Sequence, residues 1–366
     1  MARLSLMGYG STLHPLSLRE RGKGEGLRPI EHQSASIPSP SFVALSPSPS
    51  PACGRGGQKP LPRRRGRGWG EGKLHGYFWS IIFLTLLPQL PAHADITVKD
   101  DLGRQVILPA PALRIVSLAP SITETFFASG AGSQLVGAVS YSDYPPAAKS
   151  LPRVGRYDSV DVEAIAALRP DLVVMWQSGN PPSTLGRLEK LGLKVFVNEP
   201  RRLEDMPATL ERFGILAGKA TEGAAAAEAF RKRLASLRGK YQGRPPVRVF
   251  YQIWNSPMMT VNGAHLISDV LRLCGGQNIF ADLPALAPTV GVEAVLAADP
   301  EAIVASGMDD RRPAWLDEWQ RWPKLKAVRQ GNIFFIPSDI INRHAPRILD
   351  GAEQLCGDLE QVRGKR

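Results

Sequence analysis

The chain of 366 residues is poor in the groups that carry metal and redox chemistry. It has three cysteines and six histidines, and only His265 and His344 lie beyond residue 94. Two histidines are too few for a multi-histidine centre, so no metal site is expected. No G-x-x-x-x-G-K-[ST], H-E-x-x-H or G-x-S-x-G string occurs, which removes the phosphate-loop, zincin and nucleophile-elbow routes to catalysis. The glycines between Gly130 and Gly137 follow a helical pattern rather than a strand and are wrongly spaced for a dinucleotide loop. They read as a helix stop and a turn. Excess charge is also missing where it would count. Residues 1–94 hold 12 Lys/Arg against 4 Glu, while residues 95–366 hold 33 against 30 acidic residues. A nearly balanced folded part gives a nucleic-acid partner little electrostatic support. An activated nucleophile or a paired acid and base is equally hard to find, so an exported enzyme has little support from the sequence.

What is present begins with two atypical segments. Residues 1–72 contain SIPSPSFVALSPSPSP and PRRRGRGWG with no sustained apolar period. Such composition cannot offset chain entropy by burial, and the stretch is expected to be disordered or to be sequence translated upstream of the true start. Residues 73–94 read as a signal peptide. Lys73 precedes the uncharged apolar run 77–90, which is short of the ~20 residues a transmembrane helix needs, and Ala92-His93-Ala94 fits cleavage after Ala94. An exported, periplasmic protein follows as the expectation. Cys274 and Cys356 then remain as an even pair in an oxidising compartment, either bridged or as two buried thiols.

From residue 95 the pattern alternates between short apolar runs and helical stretches. A hairpin is expected over 95–108 around Asp-Leu-Gly, strands at 114–119, 135–139, 171–176, 193–197, 247–253 and 332–336, and a closing helix at 345–362. Strand–helix alternation at this spacing means parallel sheets. Ser121 or Thr123 is expected to cap the first helix. One motif occurs twice: VDVEAIAALRPDLVV at 160–174 and VGVEAVLAADPEAIV at 290–304. Each copy is a short helix, a proline and an apolar strand, with Glu163 or Glu293 in the first helical turn. One repeat 130 residues apart suggests two lobes of similar build rather than a solenoid. Between them, TEGAAAAEAFRKRLASLRGKY (221–241) has no proline and predicts one long helix. The expected organisation is therefore α/β: a lobe over 95–218, a connecting helix over 219–243 and a second lobe over 244–366. A single rigid helical connector predicts limited closure of the lobes.

Aromatic residues gather at strand ends and loops: Tyr141, Tyr144 and Tyr157, with Trp176 and Trp254 closing their strands. In open α/β sheets ligands bind outside the carboxyl ends of strands, and aromatics there offer broad apolar faces with polar tips. Asp339, Arg343 and Arg347 follow the last strand.

These residues carry a resemblance. DDLGRQVILPAPALRIVSLAPSITE (100–124), GAVSYSDYPP (137–146), the VEAIAALRPDLVVMW block, LRLCGGQNIF (271–280) and SDIINRHAPRILDGAEQLC (338–356) resemble the vitamin B12 receptors of ABC importers, within the helical-backbone class of periplasmic substrate-binding proteins. The resemblance covers about 95–364. It implies two Rossmann-like lobes joined by one long helix, no catalysis and no cofactor. Cobalamin or a related corrinoid is then the transported ligand, held by Tyr141, Tyr157, Trp176, Asp339 and Arg343, with Trp254 added from its place at a strand end. It also implies a Cys274–Cys356 disulfide, a monomer, and docking of Glu163 and Glu293 on arginines of a permease dimer. The same receptor fold for haem or a ferric siderophore is the alternative.

Overall fold

The computed structural model describes residues 95–307 and 311–366. The expected extension (1–72), the export segment (73–94) and its cleavage point lie outside the described residues.

The chain opens with the antiparallel hairpin β1 (Ile96–Lys99) and β2 (Gln105–Leu108). Asp100 closes its turn by accepting from the backbone of Leu102 and Arg104 and from the Arg104 side chain. Gly103, at φ +81°, takes the left-handed position that a side chain disfavours. The first lobe follows: β3 (Ile115–Ser117), α1 (Pro120–Ala128), β4 (Leu135–Ala138), the small hairpin β5 (Gly155–Arg156) and β6 (Ser159–Val160), α2 (Val162–Ala167), β7 (Leu172–Trp176), α3 (Ser183–Lys190), β8 (Val195–Asn198) and α4 (Asp205–Leu216). The helix α5 (Ala220–Tyr241) leads to the second lobe. That lobe contains β9 (Val247–Gln252), α6 (Leu266–Leu273), β10 (Gly276–Asn278), α7 (Val292–Ala298), β11 (Ala302–Ala305), α8 (Lys326–Arg329), β12 (Ile333–Phe335), α9 (Ser338–Ile341) and α10 (Ile348–Gly364).

The two sheets share one topology. Their orders are β4-β3-β7-β8 and β10-β9-β11-β12, all parallel. In each, the second strand lies outside the first, and the third and fourth lie on the other side. The duplicated motif fills the same slot in both lobes: α2 leads into β7, and α7 into β11. Both helices end before their proline, at Arg169 and Asp299, which have φ of 44° and 42°. A proline one or two positions past a helix stop cannot continue it and disfavours helical backbone just before itself. The copies differ at the start: the Asp161 side chain accepts from Ala164 N–H, whereas Gly291 offers no such cap.

Each sheet is covered on both faces. In the first lobe Ile122, Phe126 and Phe213 pack on one side and Ile165 and Leu188 on the other. Buried positions of α5 recur at Gly223, Ala227, Phe230, Leu234, Leu237 and Tyr241, a spacing of three and four that marks one helical stripe. Its first half crosses α4 closely: a Cβ on Gly223 would meet Leu210 O at 2.8 Å and Gly214 Cα at 3.0 Å. Its second half joins the core of the second lobe with Val249, Val270 and Leu355. Each large side chain fully buried there contributes about 1.5–3 kcal/mol, so the connector is anchored at both ends. The Cys274–Cys356 disulfide ties the end of α6 to the middle of α10, with both residues fully buried.

Some local expectations differ. Ala119, not Ser121 or Thr123, precedes α1, and it makes no side-chain cap. Pro120 takes the first helical turn, where its missing N–H costs nothing, and the Thr123 hydroxyl instead donates to Ser117 Oγ. The closing helix begins at Ile348 rather than 345, and the short elements α9, β10 and the 3-10 stretch Ala314–Arg321 carry too little periodicity to be read from sequence.

Asp358 on α10 has its carboxyl pushed up to about 7 by burial. Its folded-state value thus lies above the unfolded value near 3.9. The group contributes fully to stability below that unfolded value, and the contribution is lost as pH rises through about 7. Asp358→Asn is therefore expected to raise the melting temperature by a few degrees, roughly 2–4 °C per kcal/mol. The gain should be larger at pH 8 than at pH 5 by calorimetry, and equal gains at both would contradict the assignment.

Candidate functional site

The carboxyl ends of both sheets carry the residues singled out in the sequence. In a sheet of this order the chain changes direction between its first and third strands, and the crevice there is the expected ligand position. Trp176 ends β7 beside the end of β3, and Trp254 stands just past β9 beside the end of β11. Both tryptophans thus occupy the switch point of their own lobe.

Trp176 is held from three directions. Asn180, 3% exposed, accepts from Trp176 N–H at 2.7 Å and donates to Leu118 O at 2.9 Å and Tyr157 O at 2.7 Å. One buried amide thereby joins the ends of β3 and β7 to the hairpin loop bearing Tyr157. Gly179 lies against the indole, leaving no room for a Cβ. The rings of Tyr157 and Trp176 are 6.0 Å apart, within the range of favourable aromatic contact.

Tyr141 is 54% exposed and sits at φ 66°. A non-glycine residue there costs about 1–3 kcal/mol and persists only when its surroundings impose it. They do so here. The Thr123 and Ser142 hydroxyls lie 3.2 Å apart, and Arg153 donates to Ser142 O at 3.0 Å.

From the second lobe, Arg343 stands 2.8 Å from Asp339 and 2.8 Å from Asp143 of the first lobe. The buried Tyr251 hydroxyl donates to Asn342 Oδ1 at 3.0 Å, tying the side chain next to Arg343 to β9. Arg347 forms a two-pronged pair with Glu124 of α1 and lies over the Tyr144 ring. His344 packs edge-on against Trp176 and against His265. Burial pushes His344 down to about 4, while burial and then the His344 charge push His265 down to about 3. Both rings are neutral near pH 7. The geometry agrees for His265, whose Nδ1 accepts from Ile267 N–H and so carries no proton. These rings are structural parts of the lobe junction.

The structure therefore brings Tyr157 and Trp176 into one group and Asp339 and Arg343 into another, the two linked across the lobes through His344 and Asp143. Trp254 lies in a recess of about 410 Å³ with Arg312 and Trp315. Its indole N–H donates to Ser256 O. A larger recess, about 490 Å³, lies by Glu204, Arg238 and Arg272 at the far end of α5, away from the strand ends. Glu163 and Glu293 are exposed in the first turns of α2 and α7. Sequence reasoning missed Glu124, Asp143 and His344. Their roles depend on partners roughly 200 residues away, and no local pattern marks them. Among the described residues no group of three or more His, Cys, Asp or Glu could hold a metal, and no helix is long and apolar enough to cross a membrane.

Two parallel-sheet lobes, one connecting helix and aromatic groups at facing strand ends define a two-lobed binding protein. The chain belongs to the periplasmic binding protein family, whose profile matches residues 115–340. It is 39% identical over 253 residues to the vitamin B12-binding protein of Vibrio cholerae, covering 69% of this chain and 91% of that one. Among solved structures it is similar to the periplasmic vitamin B12 binding protein BtuF of Vibrio cholerae. That match has a TM-score of 0.65 and 38% identity, over 69% of this chain and 98% of the other. A periplasmic heme binding protein from Pseudomonas aeruginosa matches at a TM-score of 0.59 and 26% identity, over 67% and 91%.

Proposed function

We propose that this chain is an exported receptor, cleaved after Ala94, that captures cobalamin or a related corrinoid between its lobes and delivers it unchanged to an ABC permease. The lobes are assigned to 95–218 and 244–366, with 219–243 as the connector, and the working form is a monomer. The observation that carries the reading is the pair of tryptophans at the two switch points, Trp176 backed by Tyr157 in one lobe and Trp254 in the other. A flat macrocycle suits such faces, and Tyr141, Asp339 and Arg343 supply polar contacts for amide edges. The vitamin B12-binding relatives point the same way.

Haem or a ferric siderophore is the second reading, favoured by the heme-binding neighbour and by an exposed phenol at Tyr141. Electrostatics favours the corrinoid. Arg343 already faces Asp143 and Asp339, and Arg347 already faces Glu124, so an anionic ligand would compete with carboxylates in place, whereas neutral amides need not. Calorimetry of the mature chain at tens of micromolar should show heat of binding with cyanocobalamin and with cobinamide, and haem addition should leave the Soret band unshifted. Silence with both corrinoids would overturn the assignment, and a Soret shift would transfer it to haem.

Glu163 and Glu293 are read as the docking points, one per lobe, for arginines on a twofold permease. Both are exposed, and no ion pair involving either is found among the described residues.

A further inference from the structure

Away from α5 the lobes also meet, without a covalent link, at the cleft. Glu124 belongs to α1 of the first lobe, and Arg347 immediately precedes α10 of the second. Arg347 Nε donates to Glu124 Oε1 at 2.9 Å and Nη2 to Oε2 at 2.8 Å. The Glu124 side chain is 3% exposed and that of Arg347 20%. The guanidinium carbon also lies 3.5 Å from the centroid of Tyr144. Four residues earlier, Arg343 Nη1 stands 2.8 Å from Asp143 Oδ1. The segment 343–347 of one lobe thus grips the loop 141–145 of the other at two successive residues, and that loop presents Tyr141.

We infer that Glu124 and Arg347 form an inter-lobe clasp that sets the width of the cleft and holds the Tyr141–Tyr144 loop in its binding position. A single helix packed into both lobes limits closure but leaves small rotations about its ends. A second attachment at a distance from α5 removes that freedom. The fork geometry matters, because two parallel hydrogen bonds to a planar carboxylate fix direction as well as distance. Burial pushes the Glu124 carboxyl up, and the hydrogen bonds and charge of Arg347 oppose this. The charge of Arg343 opposes it too, so the counter-charges to Glu124 come from the segment 343–347. Neither residue is assigned a ligand contact; both act through the loop and the lobe spacing, as positioning residues. Only the affinity arm of the test rests on the corrinoid reading.

The test uses the mature chain with spin labels at Lys190→Cys on α3 and Arg329→Cys on α8, both exposed, and pulsed electron resonance without ligand. Arg347→Ala should broaden the inter-lobe distance distribution or shift it by several ångström, with Arg347→Lys intermediate because it keeps the charge and loses the fork. If the cleft-competent population falls to about a tenth, the apparent Kd for cyanocobalamin rises about 10-fold. Glu124→Gln, close in shape, reads the same distances should Arg347→Ala not fold. Distributions that superimpose on the parent in every folded variant overturn the clasp. A parent chain that binds no cyanocobalamin overturns the ligand reading instead, and the distances alone then decide the clasp.

Discussion

Reversing both docking charges, Glu163→Arg with Glu293→Arg, should abolish delivery of ligand to the permease while leaving ligand affinity unchanged. The expectation rests on placement. The two glutamates hold the same slot in two lobes of identical strand order, in the helix that leads into the third strand. Both first turns lie on the carboxyl-end side of their sheets, but neither glutamate is among the residues read as holding the ligand, so affinity is expected to hold. Each sits in a first helical turn, where the helix dipole favours a negative charge. A twofold-symmetric partner presenting arginines would meet one glutamate per subunit. Placing like charges opposite each other costs several kcal/mol per contact, so each reversal should weaken docking by roughly 100-fold or more. Single reversals should be strongly impaired and the double one inactive. The measurement is uptake of labelled cobalamin by cells carrying the cognate permease, paired with calorimetry on the purified variant. Normal uptake, or a loss of affinity matching the loss of uptake, would show that the glutamates are not docking points.

Removing the disulfide should produce the largest loss of stability available from one pair of side chains. Cys274 and Cys356 are 82 residues apart in sequence. Closing a loop of that length removes conformational freedom from the unfolded chain worth roughly 4–5 kcal/mol. The bridge also lies within the second lobe's core, fully buried beside Leu271, Leu355 and Leu359. Cys274→Ala with Cys356→Ala should lower the unfolding free energy by about 4 kcal/mol, read from the shift in denaturant midpoint. Because Cys274 lies before β10, at the end of the sheet opposite the cleft, corrinoid affinity should hold under conditions where the variant remains folded. A loss below about 1 kcal/mol would mean that the unfolded chain is already restricted there, so that closing the loop removes little freedom.

The parts legible in sequence share a physical character. Asp-Leu-Gly turns the first hairpin because Asp100 and Gly103 satisfy its backbone within a few residues. The long helix was visible because 21 residues without proline favour one conformation by short-range terms alone. The duplicated motif announced two lobes, since each copy carries a complete local instruction: a helix, a left-handed stop, a proline and a strand. Trp176 and Trp254 could be placed at strand ends for the same reason.

Other features were decided by the tertiary structure. Which strand lies beside which follows from how apolar faces are covered over distances that local propensity does not reach. The order of the second strand outside the first, repeated in both lobes, emerged only there. So did the buried Asn180 that locks Trp176 to Tyr157, and the pairing of Asp143 with Arg343. Glu124 and Arg347, 223 residues apart, sit in stretches that read individually as a helix and a helix start. The sequence by itself determined two α/β lobes, a helix between them and aromatics at their strand ends. The tertiary structure decided that the lobes also meet through Glu124 and Arg347. A buried ion pair exists only when folding brings both charges out of water together, and no local sequence pattern encodes that meeting.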